Sequence, residues 1–405
     1  MTRSLTQASD PARLEDEYGV HNYHPLPVVI SRGQGSWVED VEGRRYFDAL
    51  SAYSALNFGH RHPRLVAAAR RQLDRLTLTS RAFQNDRLGE FCRRLAAVCS
   101  ADRVLPMNTG AEAVETAIKA ARKWGYEVKG VRPGRAKIVV CHGNFHGRTT
   151  TIVSFSDDQV ARSSFGPYTP GFESIPFGDL SALEAALDDD TAAFLVEPIQ
   201  GEAGVVVPPR GYLSEARALC EAANVLLVAD EIQSGLGRTG RMFACDHENV
   251  HPDLLLLGKA LGGGIVPISA VVGSDEVLGL FKPGQHGSTF GGNPFACAIA
   301  LEVLNLLADK TLERNAAELG SRFLDSLRTA SHPAVRAIRQ RGLWIGVDVA
   351  AEATTARQAC ERLFAAGVLT KETQEHTIRF APPLTTTSDE LDWLLERVNL
   401  ILGDL

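Results

Sequence analysis

Two ionisable side chains stand at the ends of apolar runs, where chemistry is expected. Asp230 directly follows the run 225–229, and Lys259 follows Leu254–Leu257 with one glycine between. Open α/β sheets gather ligands at the carboxyl ends of their strands. An amine and a carboxylate delivered to one rim suit a pyridine-aldehyde group. The amine condenses with the aldehyde, and the carboxylate keeps the ring nitrogen protonated so that the ring accepts electrons. Burial would lower the lysine pKa and favour it as nucleophile and proton shuttle. Plainer readings stand beside this one: a strand-end aspartate commonly caps a helix or forms a turn, and a strand-end lysine commonly points into water. Gly262, Gly263 and Gly264 follow Lys259 and let backbone approach a ligand closely, yet they also suit a simple loop.

A phosphate cradle would complete such a site. Asn108, Thr109, Gly110 and Ala111 precede a helical pattern with Val114, Ala117, Ile118 and Ala121 on one face. Small residues at a helix start expose N–H groups, and the macrodipole favours an anion there. Thr109 and Glu112 match a capping box, so a Glu112 side chain folded over that end would compete with a phosphate. The pairs His60/His62, His142/His146 and His247/His251 have metal-like spacing, but no cysteine or carboxylate cluster accompanies them and no metal is expected. The glycines of SGLGRTGR lack the order of a P-loop.

The elements that must hold these residues follow from the apolar periodicity. Short runs at 138–140, 194–196, 225–229, Leu254–Leu257 and 268–272 alternate with helical patterns, the signature of a mainly parallel sheet with helices on both faces. Glycines at 33, 35 and 43 break 28–48 into short strands. Helices are predicted from Pro63, over 212–223 and over 294–308, and strands again over 343–349 and Thr377–Phe380. The chain has 405 residues, net charge −7 and no basic arm or stripe, so nucleic acid is not an expected partner. Its seven cysteines are scattered without a C-x-x-C pair, which fits a reducing, cytoplasmic setting. The apolar stretch 254–273 carries Lys259 near its centre and is read as strand, loop, strand rather than a membrane span.

Together the motifs resemble class III aminotransferases of fold type I, over nearly the whole chain. The matching stretches are NTGAEAVETAIKAARKW (108–124), NFHGRT (144–149), EPIQGEAGV (197–205), ADEIQSGLGRTGR (229–241), GKALGGG (258–264) and HGSTFGGNP (286–294). The resemblance implies a large, mainly parallel sheet domain plus a smaller α+β domain, with pyridoxal 5'-phosphate as cofactor. On that basis 1–17 is a mobile leader, 18–55 contributes to the small domain and the active site, 56–295 binds the cofactor, and 296–405 is the C-terminal small domain. YGVHNYHPLPVV (18–29), LSAYSALNFGHRHP (50–63), IRFAPPL (378–384) and Glu202 resemble the ornithine-using subgroup.

The same resemblance implies roles. Lys259 would be the Schiff-base lysine and proton shuttle, Asp230 the partner of the ring nitrogen, Gln233 the contact to the phenolic oxygen and Phe145 the ring stack. Gly110 and Ala111 would bind phosphate through backbone N–H, with Ser288 and Thr289 reaching in from the other subunit of a homodimer or larger homo-oligomer. Tyr23 and Tyr53 would meet the substrate α-amine, and Arg148 the distal carboxylate. Arg379 would grip the α-carboxylate of glutamate and be neutralised by Glu202 when ornithine is bound. The expected reaction moves the δ-amino group of ornithine to 2-oxoglutarate. Other ω-amino donors (acetylornithine, 4-aminobutyrate, lysine), a racemase or epimerase, and a non-catalytic binder are the alternatives. His146, where members of this subgroup often carry tryptophan, reads as a filler or as a mark of altered substrate choice.

Overall fold

The computed structural model describes residues 10–405. Its centre is a seven-stranded sheet in the order Arg103–Met107, Ser269–Gly273, Leu254–Leu257, Leu226–Asp230, Thr191–Val196, Lys137–Cys141, Phe172–Ile175. Neighbours pair in parallel except Ser269–Gly273, which runs antiparallel to both strands beside it. Every residue of Thr191–Val196, Leu226–Asp230 and Leu254–Leu257 is buried. The two-residue period of a strand divides that burial between two layers. Leu227 and Ala229 join one apolar cluster, while Leu226 and Val228 join the cluster on the opposite face.

The two strands without a clear apolar run, Arg103–Met107 and Phe172–Ile175, are the sheet's edges. An edge strand tolerates Pro106 and the polar Glu173 and Ser174, which a central strand does not. The stretch 254–273 folds as expected: strand, a short turn at Lys259–Gly262, then the strand Ser269–Gly273. No helix among the described residues is long and apolar enough to cross a membrane.

A second core lies among the later elements. Val335–Gln340, Ile345–Val349, Thr377–Phe380 and Lys371–Thr373 form one four-stranded antiparallel sheet. Ile30–Gln34, Trp37–Asp40 and Arg45–Asp48 form another, closed by Val368–Leu369 pairing in parallel with Arg45–Asp48. Phe47 and Ala49 therefore share a cluster with Phe323, Ile345, Phe380 and Leu394, far along the chain. Part of the expected leader, 1–9, lies outside the described residues. Its remainder enters an exposed helix, Pro11–Tyr18, capped by the Asp10 side chain.

Candidate active site

Four adjacent parallel strands end in polar residues on one rim. Lys137–Cys141 leads into the loop of Phe145 and His146, Thr191–Val196 into Glu197, Leu226–Asp230 ends at Asp230, and Leu254–Leu257 leads into Lys259. Sheet order alone brings these groups together. Asp230 Oδ1 accepts from the Ile232 N–H at 3.1 Å, and its Oδ2 lies 2.7 Å from His146 Nδ1. The pair is deeply buried, with side chains 0% and 5% exposed. Burial would lower the His146 pKa, but the hydrogen bond and charge of Asp230 outweigh it and raise the value. His146 therefore meets the Asp230 carboxylate directly and lines the same hollow as Arg148 and Glu202.

Lys259 adopts a left-handed backbone, φ 42°, a conformation costly for a side chain larger than glycine and concentrated at functional sites. Burial, with Arg379 pushing the same way, brings its pKa down to about 8 against the opposing charges of Glu202, Asp230 and Glu197. Glu197 itself is pushed up to about 7 by burial and by Asp230, against the nearby His146. Its carboxylate accepts from the Phe145 N–H at 2.9 Å and the Gly201 N–H at 3.4 Å, so it splices two rim loops together. EPIQGEAGV marked the segment, but only the fold reveals this role.

The helix Gly110–Trp124 begins against the same rim. Glu112 accepts from the N–H groups of Asn108 and Thr109 at 3.0 and 2.6 Å, closing the capping box and leaving the next two N–H groups, of Gly110 and Ala111, at the helix start. Ile232, between Asp230 and Gln233, packs against both Gly110 and Gly258: a Cβ at either would stand 3.2 Å from its side chain. Gly147 likewise abuts Ala111, where a Cβ would come within 2.9 Å. Helix start, lysine turn and aromatic loop thus share one wall. Ser288 Oγ meets Asn108 Nδ2 at 2.9 Å on its own chain, while Thr289 is exposed.

Across the cleft stands the small sheet. Arg379 Nη1 donates to Glu202 Oε1 at 2.6 Å and to the Gly201 carbonyl at 3.2 Å. The Arg379 side chain is 1% exposed and that of Glu202 27%. Arg379 Nε and Nη2 are buried without a partner among the described residues. Burial would raise the Glu202 pKa, but Arg379 and Lys259 hold it below the usual carboxylate value. The Arg379 guanidinium also lies 5.0 Å from the centre of the Tyr53 ring. Tyr53 sits in a left-handed turn, with φ of 51°, 45°, 59° and 73° from Ser51 to Ser54. Asp48 holds its entry, accepting from the N–H of Leu50 at 3.0 Å and of Ser51 at 2.8 Å. Tyr23, 73% exposed, lines one hollow with Tyr53. Arg148 lines another with Phe145, His146 and Glu202, its guanidinium 5.7 Å from the Phe145 ring centre.

The arrangement fits pyridoxal phosphate. A low-pKa lysine, a buried carboxylate hydrogen-bonded to a histidine, the helix start at Gly110 and Ala111 and the buried amide of Gln233 match its aldehyde, ring nitrogen, phosphate and ring oxygen in chemical kind. Fold and site together define a pyridoxal-phosphate-dependent transaminase, and the chain belongs to the class-III aminotransferase family, whose model matches residues 18–402. It is 55% identical to the ornithine aminotransferase of Brevibacillus brevis, over 96% of this chain and 96% of that protein. The solved ornithine aminotransferase of Toxoplasma gondii superposes with TM-score 0.95 at 50% identity, covering 96% of this chain and 94% of that one. An acetylornithine aminotransferase from Elizabethkingia anophelis superposes at 0.88 with 44% identity, covering 97% and 98%.

Proposed function

We propose that this protein transfers the δ-amino group of ornithine to 2-oxoglutarate, giving glutamate 5-semialdehyde, which cyclises to pyrroline-5-carboxylate, and glutamate. The observation that carries the reading is the Glu202–Arg379 pair across the cleft from Lys259. A dicarboxylate offering its α-amine needs a free cation for its α-carboxylate. A diamino acid offering its terminal amine needs that cation silenced, or it would bind in the wrong register. One arginine with a displaceable carboxylate meets both demands, and the unpaired Nε and Nη2 of Arg379 are donors for an incoming carboxylate.

When bound, pyridoxal phosphate supplies a carbonyl that takes up the amino group and a protonated ring that accepts the electron pair released at the substrate carbon. Lys259 holds the cofactor and moves the proton. Asp230, held by His146, would pair with the ring nitrogen, Gln233 with the ring oxygen and Phe145 with the ring face, and Gly110 and Ala111 would hold the phosphate. Ser288 and Thr289 complete that cradle from the partner of a homodimer. Tyr23 and Tyr53 receive the ornithine α-amine, and Arg148 the distal carboxylate of 2-oxoglutarate. The unit 56–295 binds the cofactor, and 18–55 with 296–405 close the site, in a cytoplasmic enzyme.

The test is a donor panel of ornithine, N-acetylornithine, 4-aminobutyrate and lysine with 2-oxoglutarate. Pyrroline-5-carboxylate should form from ornithine with kcat/KM at least about tenfold above every other donor. A preference for N-acetylornithine, or racemisation without 2-oxoglutarate, overturns the assignment.

A further inference from the structure

The segment that carries Glu202 is pinned by its backbone at two points. The Glu202 carbonyl accepts from Thr373 Oγ1 and, at 3.2 Å, from Gln374 Nε2. Two residues on, the Gly204 carbonyl accepts from Arg339 Nε at 2.8 Å. The other two nitrogens of that guanidinium grip Asp348 at 2.5 and 2.6 Å, and Asp348 in turn accepts from Thr377 Oγ1 at 2.6 Å. Thr377 lies on the strand Thr377–Phe380, two residues before Arg379. Gly346 stands opposite Arg379 in the neighbouring strand, and a Cβ there would come within 2.5 Å of the Gly204 carbonyl. The Glu202 segment therefore rests on the sheet at the register of Arg379.

We propose that the Arg339–Asp348 pair is a positioning device for substrate choice: by clamping the Gly204 carbonyl to the strand of Arg379, it confines opening of the Glu202–Arg379 pair to a rotation of the Glu202 side chain. Charge-assisted bidentate contacts of this kind fix geometry as well as adding energy. With the backbone held at both ends, Glu202 returns to Arg379 whenever no second carboxylate competes. A loosened segment would leave Arg379 free to seize the α-carboxylate of ornithine and present the wrong amine. Neither Arg339 nor Asp348 lines the hollows of Arg148 and Glu202 or of Tyr23 and Tyr53. Their influence passes through Glu202. The inference rests on the ornithine reading, because only a donor with two amines exposes the error.

The test uses the full-length enzyme loaded with pyridoxal phosphate and follows single-turnover half-reactions by the cofactor absorbance. Arg339→Gln should lower the ratio of ornithine to glutamate kcat/KM by about tenfold, with more α-transaminated product from ornithine. In a Glu202→Gln background the same substitution should change that ratio less than about twofold, since the side chain it positions is already neutral. Asp348→Asn should reproduce the pattern and serves in its place if Arg339→Gln fails to fold. Equal losses in both half-reactions, or equal effects in both backgrounds, overturn the inference and leave the ornithine reading intact. A wild-type enzyme that does not use ornithine overturns both.

Discussion

His146 Nδ1 and Asp230 Oδ2 meet at 2.7 Å in a site closed to solvent, 84 residues apart in sequence. The histidine orients the carboxylate, and the same contact raises the pKa of the histidine against its burial. A carboxylate fixed in this way is suited to hold a ring nitrogen protonated, so the pair would govern how well a bound pyridine ring takes up electrons.

His146→Gln should accordingly leave the fold intact and weaken the chemistry. Hydrogen bonds to charged groups contribute about 1.5–3 kcal/mol, which corresponds to roughly a 10- to 100-fold fall in kcat. The measurement is kcat for ornithine in cofactor-saturated enzyme. A change below twofold would show that Asp230 is held well enough by the Ile232 N–H alone.

Glu202→Gln removes the charge that silences Arg379. Ornithine kcat/KM should fall by roughly tenfold or more, by the same magnitude of lost charge-assisted hydrogen bonding. The glutamate half-reaction should be spared or improved, since the competing carboxylate is gone. Separate half-reaction kinetics decide it, and parallel losses would remove the basis for a switch.

The pH dependence follows from Lys259. Its amine must shed a proton before it attacks an aldehyde, and the pKa is about 8. Capture of pyridoxal phosphate by cofactor-free protein should therefore rise with pH through about 8 and level off above it. The Glu202 carboxylate favours the charged amine, so Glu202→Gln should move the midpoint to lower pH, while Arg379→Gln should move it higher. Stopped-flow capture rates between pH 6.5 and 9.5 report it (about 1.5 units either side of the midpoint); a midpoint unmoved in both variants would mean that the two charges do not act on this amine.

Gly201→Ala tests the packing under the site. An added Cβ would lie 2.2 Å from Gln233 Oε1 and 2.7 Å from the Trp344 ring. Overpacking of this kind costs about 1–3 kcal/mol, so the melting temperature should drop by several degrees. Cofactor affinity should fall with it because Gln233 is displaced. A variant with unchanged melting and affinity would show that the Gln233 side chain yields freely.

Much of this protein is legible without a structure, for reasons that are local. The central strands are readable because a strand covered on both faces must be apolar throughout, as in Leu254–Leu257. The helix start at Gly110 is readable because its cap spans only four residues, from Thr109 to Glu112. The edge strands Arg103–Met107 and Phe172–Ile175 escape the same reading because an edge need not be apolar.

The residues Asp230, Lys259, Glu202 and Arg379 carry chemistry that their types and motifs already announce. What the sequence left open was which groups stand beside them. His146 reaches Asp230, Glu197 ties the Phe145 loop to Gly201, and Arg339 grips Gly204 from 135 residues away. No periodicity encodes such contacts, because they arise where strand order folds distant segments onto one rim. Residue type sets what a group can do, and tertiary structure sets its neighbours, its burial and hence its charge state.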